Sequence, residues 1–190
     1  MSLPAVFIDR DGTINEQMGY INDPTRFILL PNVVEAIGLL NQNKFLSIVV
    51  SNQSGVARDY FPLELVHEIN QIMEKQLGEK GVKIDGIFFC PHHPKAELEF
   101  YRLECDCRKP KTGLIDQACK NFDIDLSRSF VIGDRYSDIE MGHRLDLRSI
   151  LVETGYGLGE KKYVLPKKKR QPDHIAGDLL EAVRWILTRD

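Results

Sequence analysis

AVFIDRDGTIN, residues Ala5 to Asn15, is an apolar run that ends in acid. Val6, Phe7 and Ile8 lead straight into Asp9, and Asp11 follows after a single arginine. A Gly-Thr pair comes next. Asp-Gly is a common turn signal, so a buried strand closing on an ordinary turn would read the same way. The stretch therefore gives a strand with two carboxylates at its end, and the rest of the chain decides what they are for.

Similar runs recur downstream: LSIVVSN (46–52), DGIFFC (85–90), SFVIGD (129–134) and RSILVET (148–154). They are short, rich in Val, Ile and Phe, and do not alternate with polar residues, as expected of strands covered on both faces. Helical patterns fall between them. Val33, Val34, Ile37 and Leu40 share a face behind Pro31. Leu65, Val66, Ile69, Ile72, Met73 and Leu77 form a longer stripe that Gly81 stops. Residues 113–122 give a shorter helix and 178–187 a last one. Strands alternating with helices predict an α/β fold: a mostly parallel sheet with helices on both faces. Ligands bind beyond the carboxyl ends of such strands. Three strands end there in polar residues: Asp9, Ser51-Asn52 and Asp134.

The 190 residues suit one domain over 1–190. Apolar residues at 43% are enough for a core, and the net charge of −3 gives no general reason to expect nucleic acid or an anionic membrane as partner. No run approaches the ~18 apolar residues of a membrane span. The first residues show neither a basic nor an apolar targeting region, so a cytoplasmic location is expected. The basic stretch 161–170 reads as a solvated connection before the last helix.

In a reducing compartment the four cysteines are core thiols or metal ligands. Cys90-x-His92 and Cys105-x-Cys107 place three thiols and an imidazole on one polar loop. Cys₃His is an accepted structural zinc set, and four ligands leave no open position for catalysis. Reduced cysteines beside two loop histidines are the alternative, and His93 is the rival to His92. Cys119 lies in a helical apolar pattern and reads as core.

Asp9-Arg10-Asp11-Gly12-Thr13, Ser51-Asn52-Gln53-Ser54-Gly55, Arg108-Lys109-Pro110 and Gly133-Asp134 through Asp138 form an ordered set. Together they resemble the haloacid dehalogenase (HAD) superfamily of aspartate-nucleophile phosphatases, over nearly the whole chain. The resemblance implies a Rossmann-like HAD fold with Mg²⁺ held by Asp9, Asp134 and the main-chain carbonyl of Asp11. It also implies an aspartyl-phosphate formed on Asp9, with Asp11 as general acid and then base. Ser51 and the Asn52 backbone would hold phosphoryl oxygens, and Lys109 would offset charge in the transition state. Asp138 would orient Lys109 or a metal-bound water, or else favour the dipole at a helix start. The physics agrees: phosphate monoesters are anionic, so a carboxylate nucleophile needs a cation to relieve repulsion.

The pattern C-x-H…C-x-C followed directly by R-K-P resembles a zinc-containing subgroup. It includes the D-glycero-D-manno-heptose 1,7-bisphosphate phosphatases and the histidinol-phosphate phosphatases. Zinc at Cys90, His92, Cys105 and Cys107 would then rigidify the loop 90–109 that carries Arg108 and Lys109, and the cap would be minimal. The long segment PKAELEFYRLE (94–104), the motif Asn52-Gln53-Ser54-Gly55-Val56-Ala57-Arg58 and GYI-x-DP (Gly19 to Pro24) look like the heptose group. Hydrolysis of the C7 phosphate of the heptose bisphosphate, in nucleotide-activated heptose biosynthesis, is the expectation, with histidinol phosphate or another small sugar phosphate as the alternative. Arg108 would engage the sugar bisphosphate. Arg58 is a second candidate, or a solvent-facing loop charge. Residues 16–24 would lie over the entrance. The partner expected is a small phosphorylated sugar met by a monomer, with no nucleic acid or membrane.

Overall fold

The apolar runs become strands of one parallel sheet. In the computed structural model, which describes residues 2–189, these are β1 (Ala5–Ile8), β2 (Leu46–Asn52), β3 (Gly86–Cys90), β4 (Phe130–Gly133) and β5 (Arg148–Val152), joined by a short edge strand β6 (His174–Ala176). The order is β3-β2-β1-β4-β5-β6. The central strand β1 pairs on one side with β2, Ala5 opposite Leu46, and on the other with β4, Val6 opposite Phe130.

Both faces are covered, which is why the strands show no alternation. Val6 and Ile8 point into a core shared with α1 (Val33–Gln42), α2 (Leu63–Gly78) and α6 (Leu179–Leu187). Ala5 and Phe7 point to the opposite face, against α3 (Gly113–Asn121) and α4 (Tyr136–His143). All four β1 residues are fully buried.

The basic connection departs from expectation. Gly157–Gly159 (α5), Glu160–Val164 and Leu165–Lys167 coil into successive helical turns. Leu165 anchors them, buried against Ile139 and Leu151. A single apolar anchor makes no stripe, so periodicity could not reveal it.

The topology dictates where a ligand sits. From β1 the chain winds one way to β2 and β3, and the other way to β4, β5 and β6. A crevice opens where that order reverses, outside the carboxyl ends of β1 and β4. The residues just past those ends are Asp9 and Asp134.

Candidate active site

Asp9 continues β1, its N–H donating to the Ile132 carbonyl at 2.9 Å. Asp134 follows β4, and Asp138 sits in the first turn of α4. One carboxylate oxygen from each of the three lies within 4.8 Å of the others. All three residues are buried, at 7%, 0% and 1% exposure. The Nζ of Lys109 is wedged among them, 2.7 Å from Asp9 Oδ1, 2.6 Å from Asp138 Oδ1 and 2.9 Å from the Val50 carbonyl.

Asp138 fills both roles open to it. Its Oδ2 accepts from the Arg135 N–H at 3.1 Å, capping α4, while Oδ1 holds Lys109. Lys109 is also fixed through its main chain. Its N–H donates to Asn52 Oδ1 at 3.0 Å, and Asn52 Nδ2 donates to its carbonyl at 3.3 Å. The Asn52 side chain thus braces Lys109.

Charge balance tests whether the site fits a divalent cation. Three carboxylates face one ammonium, which leaves an excess of two negative charges in a buried place. Burial, followed by the charges of Asp9 and Asp138, pushes the Asp134 carboxyl up to about 8. Burial pushes Asp9 up to about 6 against the opposing pull of Lys109. Asp134 Oδ1 is buried without a hydrogen-bond partner, although Oδ2 accepts from the Tyr156 N–H at 2.8 Å. An acid cluster short of positive charge, with an orphaned oxygen, suits a hard dication such as Mg²⁺. The backbone is shaped to Asp134 as well. Gly12 (φ +91°) and Gly155 (φ +56°) both approach it so closely that an added Cβ would lie 2.2 Å from its Oδ2.

Asp11 turns its side chain out of that cluster. Its Oδ2 accepts from Gln53 Nε2 at 2.7 Å and its Oδ1 from Asn15 Nδ2 at 3.0 Å. Arg10 forks onto both oxygens, at 3.2 and 3.0 Å. Burial pushes this carboxyl up, but the Arg10 charge and these hydrogen bonds outweigh it and hold Asp11 below the usual carboxylate range. Its main-chain carbonyl accepts from Gln17 Nε2 at 3.3 Å.

Asp9, Asp11, Ser51, Lys109 and Asp138 line one open cavity of about 420 Å³, together with Arg58, Arg108 and Arg135. The HAD-hydrolase-like family pattern matches residues 106–182, the stretch that carries Lys109, Asp134 and Asp138. Along its length the chain is similar to the D-glycero-D-manno-heptose-1,7-bisphosphate 7-phosphatase of Thermosynechococcus vestitus, 38% identical over 99% of this chain and 97% of the other. It is 34% identical to the D-glycero-beta-D-manno-heptose-1,7-bisphosphate 7-phosphatase of Escherichia coli K12, over 97% and 94% of the two chains. The chain belongs to the heptose 1,7-bisphosphate 7-phosphatase family of HAD hydrolases. It is a phosphoric monoester hydrolase. A solved structure with the same fold is the D,D-heptose 1,7-bisphosphate phosphatase of B. bronchiseptica complexed with magnesium and phosphate, at TM-score 0.85, 27% identity and coverage of 99% and 100%.

The Cys/His set of this heptose-phosphatase family member converges. Cys90 Sγ lies 3.4 Å from Cys105 Sγ and 3.7 Å from His92 Nδ1, and Cys107 Sγ lies 3.3 Å from Cys105 and 3.4 Å from His92. Within the cluster the Cys90 thiol keeps its proton and shares it with Cys107, which this hydrogen bond, joined by Cys105 and His92, draws down to about 5. Such spacing and chemistry suit a tetrahedral N/S metal site. His93 is turned elsewhere, its Nε2 3.2 Å from Arg58 and its Nδ1 accepting from the Lys95 N–H at 3.1 Å. Cys119 packs beside the core on α3.

The cluster is tied to the cavity. Arg108 donates to the His92 carbonyl at 3.1 Å. Arg58, the candidate solvent-facing charge, is half-buried and lines the cavity. Gln17, Gly19 and Tyr20, from the segment expected over the entrance, line it too. Sequence reasoning gave no role to Arg10, Gln53, Asn70, Arg135 or Tyr156. Gln53 links two site residues, since its Nε2 donates to both Ser51 Oγ (2.6 Å) and Asp11. The available signal was alternation: in an extended chain Arg10 points away from Asp9 and Asp11, hence inward.

Proposed function

We propose that this phosphatase removes the C7 phosphate of D-glycero-D-manno-heptose 1,7-bisphosphate and leaves the 1-phosphate. The carrying observation is the pair Arg58 and Arg108 in the cavity whose floor holds Asp9 and Lys109. A bisphosphate presents one anion to the floor and a second to these guanidiniums, which suit a dianion well. Histidinol phosphate carries an ammonium and an imidazole and no second anion, so it offers these arginines nothing to bind. Relatives at 34–38% identity named for the heptose substrate support this choice.

Asp9 is the nucleophile. A carboxylate oxygen attacks phosphorus, an O–P bond forms, and the bond from phosphorus to the sugar O7 breaks. Asp11, ionised at rest, takes up a proton as the anionic phosphoryl group docks beside it, and gives that proton to O7 as the alcohol leaves. Asp11 then takes a proton from water as that water attacks the aspartyl-phosphate, releasing phosphate and restoring Asp9. Ser51 and the Asn52 backbone hold phosphoryl oxygens. Lys109 Nζ, already 2.7 Å from Asp9, offsets charge that builds on the transferring group. Mg²⁺ held by Asp9, Asp134 and the Asp11 carbonyl, with Asp138 beside it, would neutralise the approach of two anions when bound. Zinc at Cys90, His92, Cys105 and Cys107 would be structural and fix the approach of Arg108 and Lys109. The reading extends to a single catalytic domain over 1–190, monomeric and cytoplasmic, meeting no nucleic acid or membrane.

Comparing kcat/KM for both anomers of the heptose bisphosphate and for histidinol phosphate, with Mg²⁺ and with EDTA, tests it. Either anomer should exceed histidinol phosphate by orders of magnitude, and EDTA should abolish turnover. The reverse ranking would assign the chain to histidinol phosphate.

A further inference from the structure

Arg10 is a guanidinium in an unusual place. It stands between two site carboxylates in sequence, yet its side chain runs inward and is 1% exposed. Its main-chain carbonyl receives N–H groups from Ile14 at 2.8 Å and Asn15 at 3.1 Å, so the residue also pins the turn that follows β1. Its NH1 donates to Asn70 Oδ1 at 2.9 Å. Asn70 is buried on α2, next to the apolar stripe of Ile69 and Met73. Arg10 Nη2 donates to both oxygens of Asp11, at 3.2 and 3.0 Å.

Burying a guanidinium is costly unless a counter-charge and hydrogen bonds accompany it. Asn70 supplies a neutral acceptor, and Asp11 supplies the charge, in an ion pair at 3.0 Å. Despite these contacts the Asp11 side chain stays 20% exposed and lines the cavity. The pair therefore has one end locked in the core and one end facing substrate. The planar guanidinium is held at two points, Nη1 on Asn70 and Nη2 on Asp11, so its orientation is fixed in a way that a mobile ammonium could not reproduce.

We propose that Arg10, braced by Asn70, is the positioning residue for Asp11, setting the carboxyl where it can pass its proton to the departing sugar oxygen. The proposal rests on the general acid–base role given to Asp11 above. It goes beyond that role in placing the aim of the proton donor on a buried pair that never touches substrate. Gln53, just past β2, completes the frame, tying the Asp11 carboxylate to Ser51. The carboxyl that gives the proton and the Ser51 hydroxyl that meets the phosphoryl group then share one mount.

The test uses leaving groups. An alkoxide needs a proton as it departs, whereas p-nitrophenolate leaves without one. kcat/KM should be measured in the Mg²⁺-loaded enzyme for the heptose bisphosphate and for p-nitrophenyl phosphate. Arg10→Lys keeps the charge and loses the fork. It should lower kcat/KM for the sugar phosphate by about 10–100-fold, part of the ~10²–10⁴ that a general acid contributes, and by less than about 3-fold for the aryl ester. Asn70→Ala leaves the Arg10–Asp11 pair in place without its brace, and should show the same selectivity at smaller size if the lysine variant does not fold. Asp11→Asn sets the scale, with a larger loss confined to the sugar phosphate. Equal losses on both substrates in Arg10→Lys and Asn70→Ala, with selective loss in Asp11→Asn, would overturn the positioning role alone. Equal losses in Asp11→Asn would strike the general-acid reading itself and take this inference with it.

Discussion

Replacing Lys109 by Met removes the ammonium and nearly keeps the side-chain volume, so it isolates the charge. In the native protein Nζ satisfies Asp9 at 2.7 Å, Asp138 at 2.6 Å and the Val50 carbonyl at 2.9 Å, in a residue 5% exposed. Hydrogen bonds to charged groups contribute about 1.5–3 kcal/mol each, and breaking a buried ion pair costs about 3–5 kcal/mol. The metal-free variant should therefore lose about 3–5 kcal/mol near neutral pH. For a chain of this length that corresponds to a fall in Tm of about 6–20 °C. Protons are the alternative counter-charge. Asp9, already up to about 6 from the ordinary 3.8, must rise further without Lys109. A carboxyl raised in the folded state binds more protons there than in the unfolded chain, so stability falls as pH rises through that range. The deficit should be largest at pH 8 and shrink toward pH 5. Mg²⁺ should stabilise the variant more than the wild type, because it replaces the missing charge. Thermal unfolding in EDTA and in Mg²⁺, at several pH values, reads all of this. A Tm change under about 2 °C in EDTA at pH 8 would mean that the three carboxylates are solvated and that the charge count offered for the metal site is wrong.

Asp9→Asn should fold normally and lose turnover by orders of magnitude, since an amide is a poor nucleophile; appreciable activity would refute Asp9 as the attacking group. Elemental analysis should find one zinc per chain, and Cys105→Ser/Cys107→Ser should lose it together with much of the activity. Metal retained in that double variant would place the ion elsewhere. Arg108→Ala should raise KM for the heptose bisphosphate more than for a small monophosphate, and equal losses would assign Arg108 to the transferring phosphoryl group. Gly155→Ala should weaken Mg²⁺ binding measured by titration, because the added Cβ would lie 2.2 Å from Asp134 Oδ2 and 2.7 Å from the Gly12 backbone; unchanged affinity would show that the pocket yields there.

The sequence foretold much of this because parallel strands announce themselves by unbroken apolar character. β1, β2, β3, β4 and β5 fall within two residues of their apolar runs. The edge strand β6 has only His174, Ile175 and Ala176, too few for any period to show. Helix α4, with Gly142 and several polar residues, lacks a stripe and shows itself only through its first-turn Asp138. The sequence also marked Asp9, Ser51, Lys109 and Asp134, which the fold brings to one cavity or its floor. Arg10 and Asn70 stayed hidden for a different reason. A charge between two acids and an amide within a helix both look solvated until tertiary packing buries them together.

The Cys/His cluster brackets a segment of chain without including it. Pro94 to Glu104 leaves after His92 and His93 and returns at Cys105, and Phe100 at its turn is 81% exposed. The segment touches the cavity wall at second hand: Leu98 N–H donates to the Ala57 carbonyl at 3.1 Å, and the Tyr101 carbonyl accepts at 3.1 Å from the N–H of His93, whose ring lies 3.2 Å from Arg58. Arg108 and Lys109, by contrast, follow the last cysteine directly. Insertions, deletions or grafts between the two ligand pairs can thus re-aim Arg58 while the chemical floor stays still. On the proposed roles of Arg58 and Lys109, specificity and turnover become separately adjustable quantities, and a designer seeking new sugar phosphates has eleven consecutive positions, 94 to 104, between the two ligand pairs.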